Sequence, residues 1–589
     1  MKKYILYVSF IFLSHTSFAQ YYLRGDVKDE KKQALNGAKI FVHSTRQIYY
    51  SGAYGSFGIT TQTLHDTLTI SLNGYDQQIV PVKSNEWQNL SLHQNTFAKN
   101  GTPTYLSNIT KAMGEHPSFS INTGDESYFQ LIENNFIDCK SYPTTGYSIG
   151  VNKSSYSNVR RFINMGSEVP PDAVKIEEMI NYFNLGYEEP GPNQYFTKKT
   201  FLSDCPWSDS DRLLYVNVSA KKLNLDLLPA GNFVFLIDVS GSMDMPNRLP
   251  LVQAAFQMFV KNLRPMDKVS IVVYGGTVGV YLQPTSGDKK DVILTAIGEL
   301  TAGGDTPGES AIRTAYKLAE STFIKDGNNR IILATDGDFN VGEKTEKALE
   351  DLVINQKDLG IYLTCLGVGM GNLKDSKLQA LAKAGNGNYA YLDDVQEAEK
   401  VLVKELTQTL YAVADDVLLE VDFNKNFVQE YRLIGFDNRK QAVTQSGGTL
   451  EGGEVGSGNN TLAIFQIKPT ETLTKSLALG IEEKIATSSL TYKPCGTTAI
   501  DTVRQDINAR FTRQTDLPKD LKMATAVSML GMELRNSKHK GNINWSRIQS
   551  YASTAVDESI HIQKEFLQMI TKASKIYEPI KKKKFRVNK

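Results

Sequence analysis

Three features are scarce in this sequence, and each scarcity excludes a class of protein. Only 4 of the 589 residues are cysteines, which is too few for a fold held together mainly by disulfides. The 65 lysines and arginines are balanced by 64 aspartates and glutamates, so no basic surplus is present to neutralise nucleic-acid phosphates. Beyond the first twenty residues, no apolar run reaches the length of about 18 that indicates a membrane-spanning helix. With 41% hydrophobic residues, the chain can instead form several globular domains.

The first nineteen residues have the layout of a secretory signal peptide. Lys2 and Lys3 precede the apolar run Tyr4–Leu13, and Ser17–Ala19 supplies the small residues of a cleavage site. The apolar run is about half the length that spans a bilayer. The residue directly after Ala19 is Gln20 and not a cysteine, so a lipoprotein anchor is not indicated. We predict export to the periplasm or the exterior after cleavage near Ala19.

Residues 20–95 are predicted to form a small all-β domain. Short β-type runs alternate with Gly, Asn and Asp, which favour turns. The segments Asn36–Ile40, Gly55–Ile59 and Leu68–Leu72 resemble the carboxypeptidase regulatory-like domain. That resemblance implies a transthyretin-like β-sandwich without catalytic residues of its own. Residues 96–140 are polar and weakly periodic, and we interpret them as a linker.

The pattern changes in residues 229–415, here called the central domain. The predicted strands are 233–237, 269–274, 330–334, 361–368 and 389–392, and the predicted helices are 249–263, 291–300, 309–324, 346–359, 374–384 and 395–413. Nearly continuous apolar strands that alternate with helices indicate a doubly wound parallel α/β sheet covered on both faces. Ligands of such sheets bind beyond the carboxyl ends of the strands.

Three loops of the central domain carry oxygen-bearing side chains at that predicted edge. The first loop follows strand 233–237, the second precedes helix 309–324, and the third follows strand 330–334. The candidate ligands are Asp238, Ser240, Ser242, Thr306 and Asp336. Oxygen ligands without nitrogen or sulfur suit a hard cation, so we predict Mg²⁺, with Mn²⁺ or Ca²⁺ as substitutes. The two carboxylates are expected to balance the charge of the ion.

This set of loops resembles the metal-ion-dependent adhesion site of a von Willebrand factor A (vWA) domain, which has a Rossmann-like fold. The resemblance implies that one coordination position stays open for a partner protein. In that family the partner offers the carboxylate of an Asp or Glu residue. The expected function is therefore cation-dependent protein binding or adhesion at the cell envelope, and not catalysis.

The segments on either side of the central domain indicate which group of vWA proteins the chain resembles. The motifs Ser155–Phe162, Pro170–Phe183, Cys205–Trp207 and Gly453–Gly458 resemble bacterial vWA proteins of the YfbK type. The predicted chain is multidomain: signal peptide 1–19, all-β sandwich 20–95, linker 96–140, flanking region 141–228, vWA domain 229–415, a β and α-helical flanking region 416–578, and a basic tail 579–589.

Two alternatives and one cysteine pair stay open at this stage. The protein could be an envelope scaffold whose metal site is vestigial and whose flanking regions do the binding. It could also be a hydrolase that uses the metal as a Lewis acid. Against a hydrolase, no histidine occurs between His116 and His539, so the central domain lacks an imidazole base. Cys139 and Cys205 are the candidate disulfide pair, whereas Cys365 lies in an apolar strand and is predicted to be a buried thiol.

Overall fold

The computed structural model describes residues 21–93, 105–106 and 126–578, with gaps at 36, 46, 53–54, 62, 73–74, 225–227, 276, 305–307, 338–345, 438–452 and 498. The predicted signal peptide and basic tail therefore lie outside the described residues, as does most of the predicted linker. The described residues divide into two compact units, one up to residue 93 and the other from residue 105 onward. Within these ranges, no helix has the length and apolar character needed to cross a membrane.

The first unit consists of two small sheets around one hydrophobic core. Its strands are β1 (Tyr21–Asp29), β2 (Lys39–Val42), β3 (Gln47–Tyr50), β4 (Ser56–Thr61), β5 (His65–Ser71), β6 (Gln78–Lys83) and β7 (Trp87–Leu92). One sheet has the order β4-β1-β7 and the other β3-β2-β5-β6. Alternate residues such as Leu23 and Val27 of β1 and Leu68 and Ile70 of β5 are fully buried between the sheets. This is the period-2 pattern of strands with one buried face, and it confirms the predicted β-rich domain.

The second unit begins with the segment before the central domain. Its elements are β8 (Tyr105–Leu106), β9 (Ile137–Asp138), β10 (Thr144–Ser148), α1 (Ser154–Asn164), α2 (Ile176–Asn181), β11 (Phe196–Cys205) and β12 (Ser208–Ala220). The predicted linker extended to residue 140, but the structure incorporates residues 126–140 into this unit. Ile137 of β9 pairs with Tyr431, and Glu126 is buried.

The central domain is the predicted doubly wound α/β sheet. Its elements are β13 (Gly231–Asp238), α3 (Leu249–Lys261), β14 (Lys268–Gly275), β15 (Thr277–Ser286), α4 (Lys290–Gly298), α5 (Gly308–Ser321), β16 (Asn328–Thr335), α6 (Glu346–Asp358), β17 (Ile361–Val368), α7 (Asp375–Ala384), β18 (Tyr389–Leu392), α8 (Val395–Glu399) and α9 (Leu406–Leu410). The strand order is β15-β14-β13-β16-β17-β18, and every neighbouring pair is parallel except β14 and β15. Along β13, Phe235 and Ile237 pack into one core and Val234 and Leu236 into another, so both faces are covered.

Two details of the central domain differ from the sequence-based expectation. Strand β15 was not predicted, because an antiparallel edge strand is only half-buried and lacks a continuous apolar run. The single helix predicted over 395–413 is instead α8, a π-helical turn and α9, and the chain enters a strand at Ala412.

The chain after the central domain adds strands to the two sheets that begin before that domain. Its elements are β19 (Ala412–Phe423), β20 (Val428–Ile434), β21 (Gly453–Gly456), β22 (Asn460–Pro469), α10 (Glu471–Ala478), β23 (Lys484–Pro494), β24 (Asp501–Asn508), α11 (Lys519–Leu534), α12 (Trp545–Ala555) and α13 (His561–Tyr577). Strand β19 pairs with β10, and β22 pairs with β12, both antiparallel. The two segments predicted as separate flanking regions therefore form one structure, and the central domain is inserted between them.

That structure, here called the flanking sandwich, contains two sheets and a layer of helices. The sheets have the orders β24-β23-β19-β10-β8, with β21 beside β19, and β11-β12-β22-β20-β9. Along β12, Leu214 and Val216 pack in the core shared by the two sheets, whereas Leu213 and Tyr215 pack against the helices. Residues of α1, α2, α11, α12 and α13 contribute most of this second core.

The predicted disulfide between Cys139 and Cys205 is wrong. Both side chains are free thiols, and they belong to the two different hydrophobic cores of the flanking sandwich. Burial raises the pKa of each thiol to about 12, so both stay protonated at neutral pH. Cys365 is a buried free thiol in β17, as predicted.

Candidate metal centre

The first predicted ligand is the last residue of the central strand. Strand β13 ends at Asp238, whose carboxylate is fully buried. Its Oδ1 accepts a hydrogen bond from the Ser240 backbone N–H at 2.9 Å, and its Oδ2 accepts one from the Thr335 hydroxyl at 2.9 Å. Thr335 is close because β16 runs parallel to β13, with Ala334 in register with Ile237. The topology therefore places the first and third loops side by side at the carboxyl edge of the sheet.

The first loop brings the two predicted hydroxyl ligands together. After Asp238 the chain forms a short 3₁₀ turn at Gly241–Met243, and the Oγ atoms of Ser240 and Ser242 lie 3.1 Å apart. The second loop contacts the first through the backbone, since the Gly241 N–H donates to the Gly304 carbonyl at 3.0 Å. Thr306, the predicted ligand of that second loop, lies outside the described residues.

The third loop supplies the second carboxylate. Asp336 is fully buried directly after β16, and its Oδ2 accepts hydrogen bonds from Arg248 Nη1 at 2.7 Å and Asn372 Nδ2 at 2.9 Å. The next residue, Gly337, has φ of +99°, and a Cβ there would lie 2.5 Å from the Lys374 backbone nitrogen. Only glycine allows this close approach. The third loop is therefore held against the loop that follows β17.

The two carboxylates have different electrostatic surroundings. Burial, together with the nearby negative charge of Asp336, raises the pKa of Asp238 to about 6. In the described part of the chain, no basic side chain lies within ion-pair distance of Asp238, whereas Asp336 pairs with Arg248. A buried carboxylate whose pKa is raised for lack of a counter-charge is stabilised by a bound cation.

The donor set fits a hard divalent cation. No group of three or more His, Cys, Asp and Glu side chains suited to a metal occurs in the described residues, so a nitrogen or sulfur site is not found there. At the carboxyl edge, two buried carboxylates and two hydroxyls lie in adjoining loops, and all four carry oxygen atoms. Mg²⁺ and Ca²⁺ prefer such ligands.

Arg248 is the member of this site that the sequence analysis missed. Its buried guanidinium donates from Nη1 to Asp336 and to the Ser242 carbonyl, and from Nη2 to the Met370 carbonyl at 2.9 Å and Asn372 Oδ1 at 3.0 Å. It therefore connects the first loop, the third loop and the loop after β17. No local motif marks this arginine, because it stands ten residues beyond Asp238, at the start of α3, and only the fold brings it back.

The loop after β17 is also held from the flanking sandwich. Glu126 Oε1 accepts hydrogen bonds from the Gly371 N–H at 2.6 Å and from Arg161 Nη1 at 2.7 Å, and Oε2 accepts one from Arg161 Nη2 at 2.9 Å. Burial opposes ionisation, but the ion pair with Arg161 keeps the pKa of Glu126 below its usual value. In addition, the Ser127 N–H donates to the Leu373 carbonyl at 3.0 Å. Glu126, which pairs with Arg161 of α1, and Ser127 thus contact the loop that positions Asp336.

Comparisons with known families agree with this architecture. Family models match four parts of the chain: the CarboxypepD_reg-like domain at residues 23–101, von Willebrand factor at 122–215, the von Willebrand factor type A domain at 233–338, and the C-terminal region of YfbK at 408–576.

Individual relatives cover different shares of the chain. The Uncharacterized protein YfbK of Escherichia coli (strain K12) is 35% identical over 493 residues, which are 80% of this chain and 84% of that protein. The Magnesium-chelatase 67 kDa subunit of Chlorobaculum parvum is 28% identical over 30% of each chain. Among solved structures, a von Willebrand factor type A protein from Catenulispora acidiphila has a TM-score of 0.38 and 16% identity, covering 65% of this chain and 91% of its own.

The central sheet and the family match define a protein that contains a von Willebrand factor type A domain. The N-terminal match adds a carboxypeptidase regulatory-like domain. Since the relationship extends over most of both chains, this protein belongs to the YfbK family.

Proposed function

We propose that this protein binds a partner protein through a divalent cation held at the carboxyl edge of its vWA sheet. The observation that carries the proposal is the buried carboxylate of Asp238, which has no basic partner in the described residues and lies beside two hydroxyls. Asp238, Ser240 and Ser242 would hold the ion, Thr306 would complete the ligand set, and Asp336 would support it. Mg²⁺ is the proposed ion, with Mn²⁺ or Ca²⁺ as substitutes.

The residues of the chain determine what kind of partner group such a site accepts. When bound, the cation supplies an electrophilic centre for an anionic oxygen ligand. Asp238 contributes one negative charge, the serine hydroxyls contribute none, and the charge of Asp336 is paired with Arg248. A dication at this site would retain positive charge, so the proposed partner group is the carboxylate of an Asp or Glu side chain on another protein.

A second candidate function is an envelope scaffold that binds through the flanking sandwich and uses no metal. The ion pair between Arg248 and Asp336 favours this alternative, because an internal arginine can stabilise a carboxylate that once served a metal.

We further propose that the protein acts outside the cytoplasm, whichever of the two functions it has, because residues 1–19 have the pattern of a signal peptide. Cell fractionation and amino-terminal sequencing of the mature protein test this, and an intact Met1 in the cytoplasmic fraction contradicts it.

The test of the main proposal is calorimetric titration of the full mature chain with Mg²⁺ and Mn²⁺, with thermal unfolding in excess metal and in chelator. The matched variants are Asp238→Asn and Asp267→Asn. Asp267 is also a buried aspartate of the central domain, but it pairs with Arg264. Saturable binding that is lost only in Asp238→Asn supports the site. No binding and no metal-dependent stabilisation overturn it in favour of the scaffold.

A partner search follows from a positive result. Envelope extracts are passed over the immobilised protein in Mg²⁺ and in chelator, and the Asp238→Asn variant serves as the control surface. A partner retained only in Mg²⁺ and only by the wild-type chain is expected. Equal retention in chelator contradicts cation-dependent binding.

A further inference from the structure

The charge balance of the candidate site is set by an arginine. The side chain of Arg248 is 7% exposed, and that of Asp336 is fully buried. Two of the loops that meet at this guanidinium are those that carry Ser242 and Asp336. An ion pair buried to this extent is weakly screened by solvent and salt.

The net charge of the site is less negative than two unpaired carboxylates would make it. Asp238 and Asp336 together contribute −2, and Arg248 contributes +1, so these three residues carry −1. Asn372 adds a neutral donor to the same oxygen of Asp336. The negative charge that a cation would experience is therefore mainly that of Asp238.

The geometry explains why this position holds arginine. The guanidinium donates to four oxygens on three loops, and a planar fork with several donors can do so, whereas a lysine ammonium acts as one point charge. Gly369 leaves room for it, because a Cβ at that residue would lie 2.5 Å from Arg248 Nε. Gly369 also has φ of +75°, in the region that favours glycine. The surroundings of Arg248 are thus built to hold it beside Asp336.

We propose that Arg248 is a built-in counter-charge of the cation site: it positions Asp336, cancels its charge, and so leaves a bound dication with enough positive charge to attract a partner carboxylate. This inference rests on the proposed cation-dependent function and assigns Arg248 a positioning role within that site. Arg248 lowers the affinity of the site for the cation and raises the affinity of the cation-loaded site for an anion. The two affinities should therefore change in opposite directions when the arginine charge is removed.

The experiment compares Arg248→Gln, which removes the charge, with Arg248→Lys, which keeps it. Calorimetry measures Mg²⁺ affinity, and water-proton relaxation of the Mn²⁺-loaded protein, titrated with acetate, measures carboxylate binding. Removing a unit charge next to a dication is expected to raise Mg²⁺ affinity about tenfold in Arg248→Gln and to lower acetate affinity by about the same factor. Arg248→Lys keeps the unit charge but loses the planar fork, so both affinities should lie closer to the wild-type values than those of Arg248→Gln.

The outcomes separate this inference from the function on which it rests. If the wild type binds Mg²⁺ but Arg248→Gln binds it equally or more weakly, the counter-charge role is overturned and the cation site stands. Mg²⁺ binding that is absent from both proteins overturns both. If only Arg248→Gln binds Mg²⁺, the arginine blocks the ion, which overturns the recruiting role and the proposed function of the wild type.

A charge-balanced variant covers the case in which Arg248→Gln does not fold. Removing one partner of a buried ion pair leaves an uncompensated charge, whereas Arg248→Gln combined with Asp336→Asn removes both. The double variant is expected to bind Mg²⁺ within about fivefold of wild type, because its net charge at the site is the same. A loss of about tenfold or more in the double variant overturns the inference. Arg264→Gln breaks the ion pair with Asp267 elsewhere in the same domain and should lower thermal stability without changing Mg²⁺ affinity.

Discussion

Buried charges are treated differently in the flanking sandwich and at the carboxyl edge of the vWA domain. Between the flanking helices and the vWA domain, Arg160 of α1 donates to Asp393 at 2.8 Å, Glu397 at 2.9 Å and Glu565 at 3.1 Å, so one cation joins three segments. At the carboxyl edge, Asp238 receives hydrogen bonds only from neutral donors in the described residues. Arg160 and its acidic partners therefore join segments of the structure, whereas the proposed function assigns the carboxylate of Asp238 to a bound cation.

The largest effect on stability is expected from Arg160→Met, which removes the buried arginine of the first cluster. The change removes the arginine that pairs with three acidic side chains, and we expect a loss of about 3–5 kcal/mol in the free energy of unfolding. Chemical denaturation monitored by circular dichroism measures it. Lys404→Met, which removes a lysine from an exposed ion pair with Glu399, is the control and should change stability by less than about 1 kcal/mol. Equal effects of the two variants contradict a structural role for the buried cluster.

Asp238→Asn is expected to affect ligand binding and not the fold. Removing this carboxylate should weaken Mg²⁺ binding by about 2–5 kcal/mol, as when one partner of a desolvated charge pair is lost. Without metal, the thermal midpoint should stay the same or rise, because a buried charge without a counter-ion has been removed. Calorimetry and thermal unfolding in chelator check the two parts. A metal-free midpoint that falls by several degrees means that Asp238 is structural.

Glu126→Gln tests whether the flanking sandwich supports the site. The variant keeps the shape of the side chain but removes its charge, so its pairing with Arg161 and the hydrogen bond from Gly371 should weaken. We expect a loss of about 1–3 kcal/mol in stability, typical of a charge-assisted hydrogen bond. Mg²⁺ affinity should fall a few-fold as well, since the loop after β17 also holds Asn372 and Arg248. Unchanged Mg²⁺ affinity with lowered stability shows that the contact only joins the domains.

Lys198 sharpens the comparison, because it is a buried cation of the flanking sandwich that contacts neutral oxygens of Ser488 and Val503. Burial lowers its pKa to about 8, from 10.5. The unfolded chain therefore binds more protons between these pH values, so this residue makes stability rise as the pH increases from about 8 to 10.5. Lys198→Met should raise the thermal midpoint slightly at pH 7, and its advantage should shrink above pH 8. A constant difference across this range contradicts an ionised buried lysine.

The sequence predicts local features of this protein well. The five strands of the parallel sheet are confirmed, and the signal that predicts them is an apolar run next to amphipathic helices. The ligand roles of Asp238, Ser240, Ser242 and Asp336 stay a prediction, which rests on their positions at the ends of such strands. Strand β15 and the shared flanking sandwich were missed. Recognising them requires knowledge of which strands pair. Tyr215 of β12 is in register with Ile464, and the whole vWA domain separates these two residues along the sequence. Nothing in the local pattern of either segment identifies its partner.

For single residues too, the local sequence does not identify the partner of a side chain. Cys139 and Cys205 are the candidate disulfide pair of the sequence analysis, but the structure places them as free thiols in different hydrophobic cores. Arg248 and Asp336 belong to different loops, and they meet because α3 begins at the carboxyl edge where β16 ends.

The amino-acid sequence by itself determined the order of domains, the α/β character of the centre and the residue types of the candidate ligands, because periodicity and short motifs depend on neighbours along the chain. Only the tertiary structure decided that the two flanking regions form one sandwich, that Glu126 supports the loop after β17, and that Arg248 pairs with Asp336. These features depend on side chains that are distant in sequence, and their pairing has a physical cause: burial removes water from charged and apolar groups, which must then find partners wherever the fold brings them.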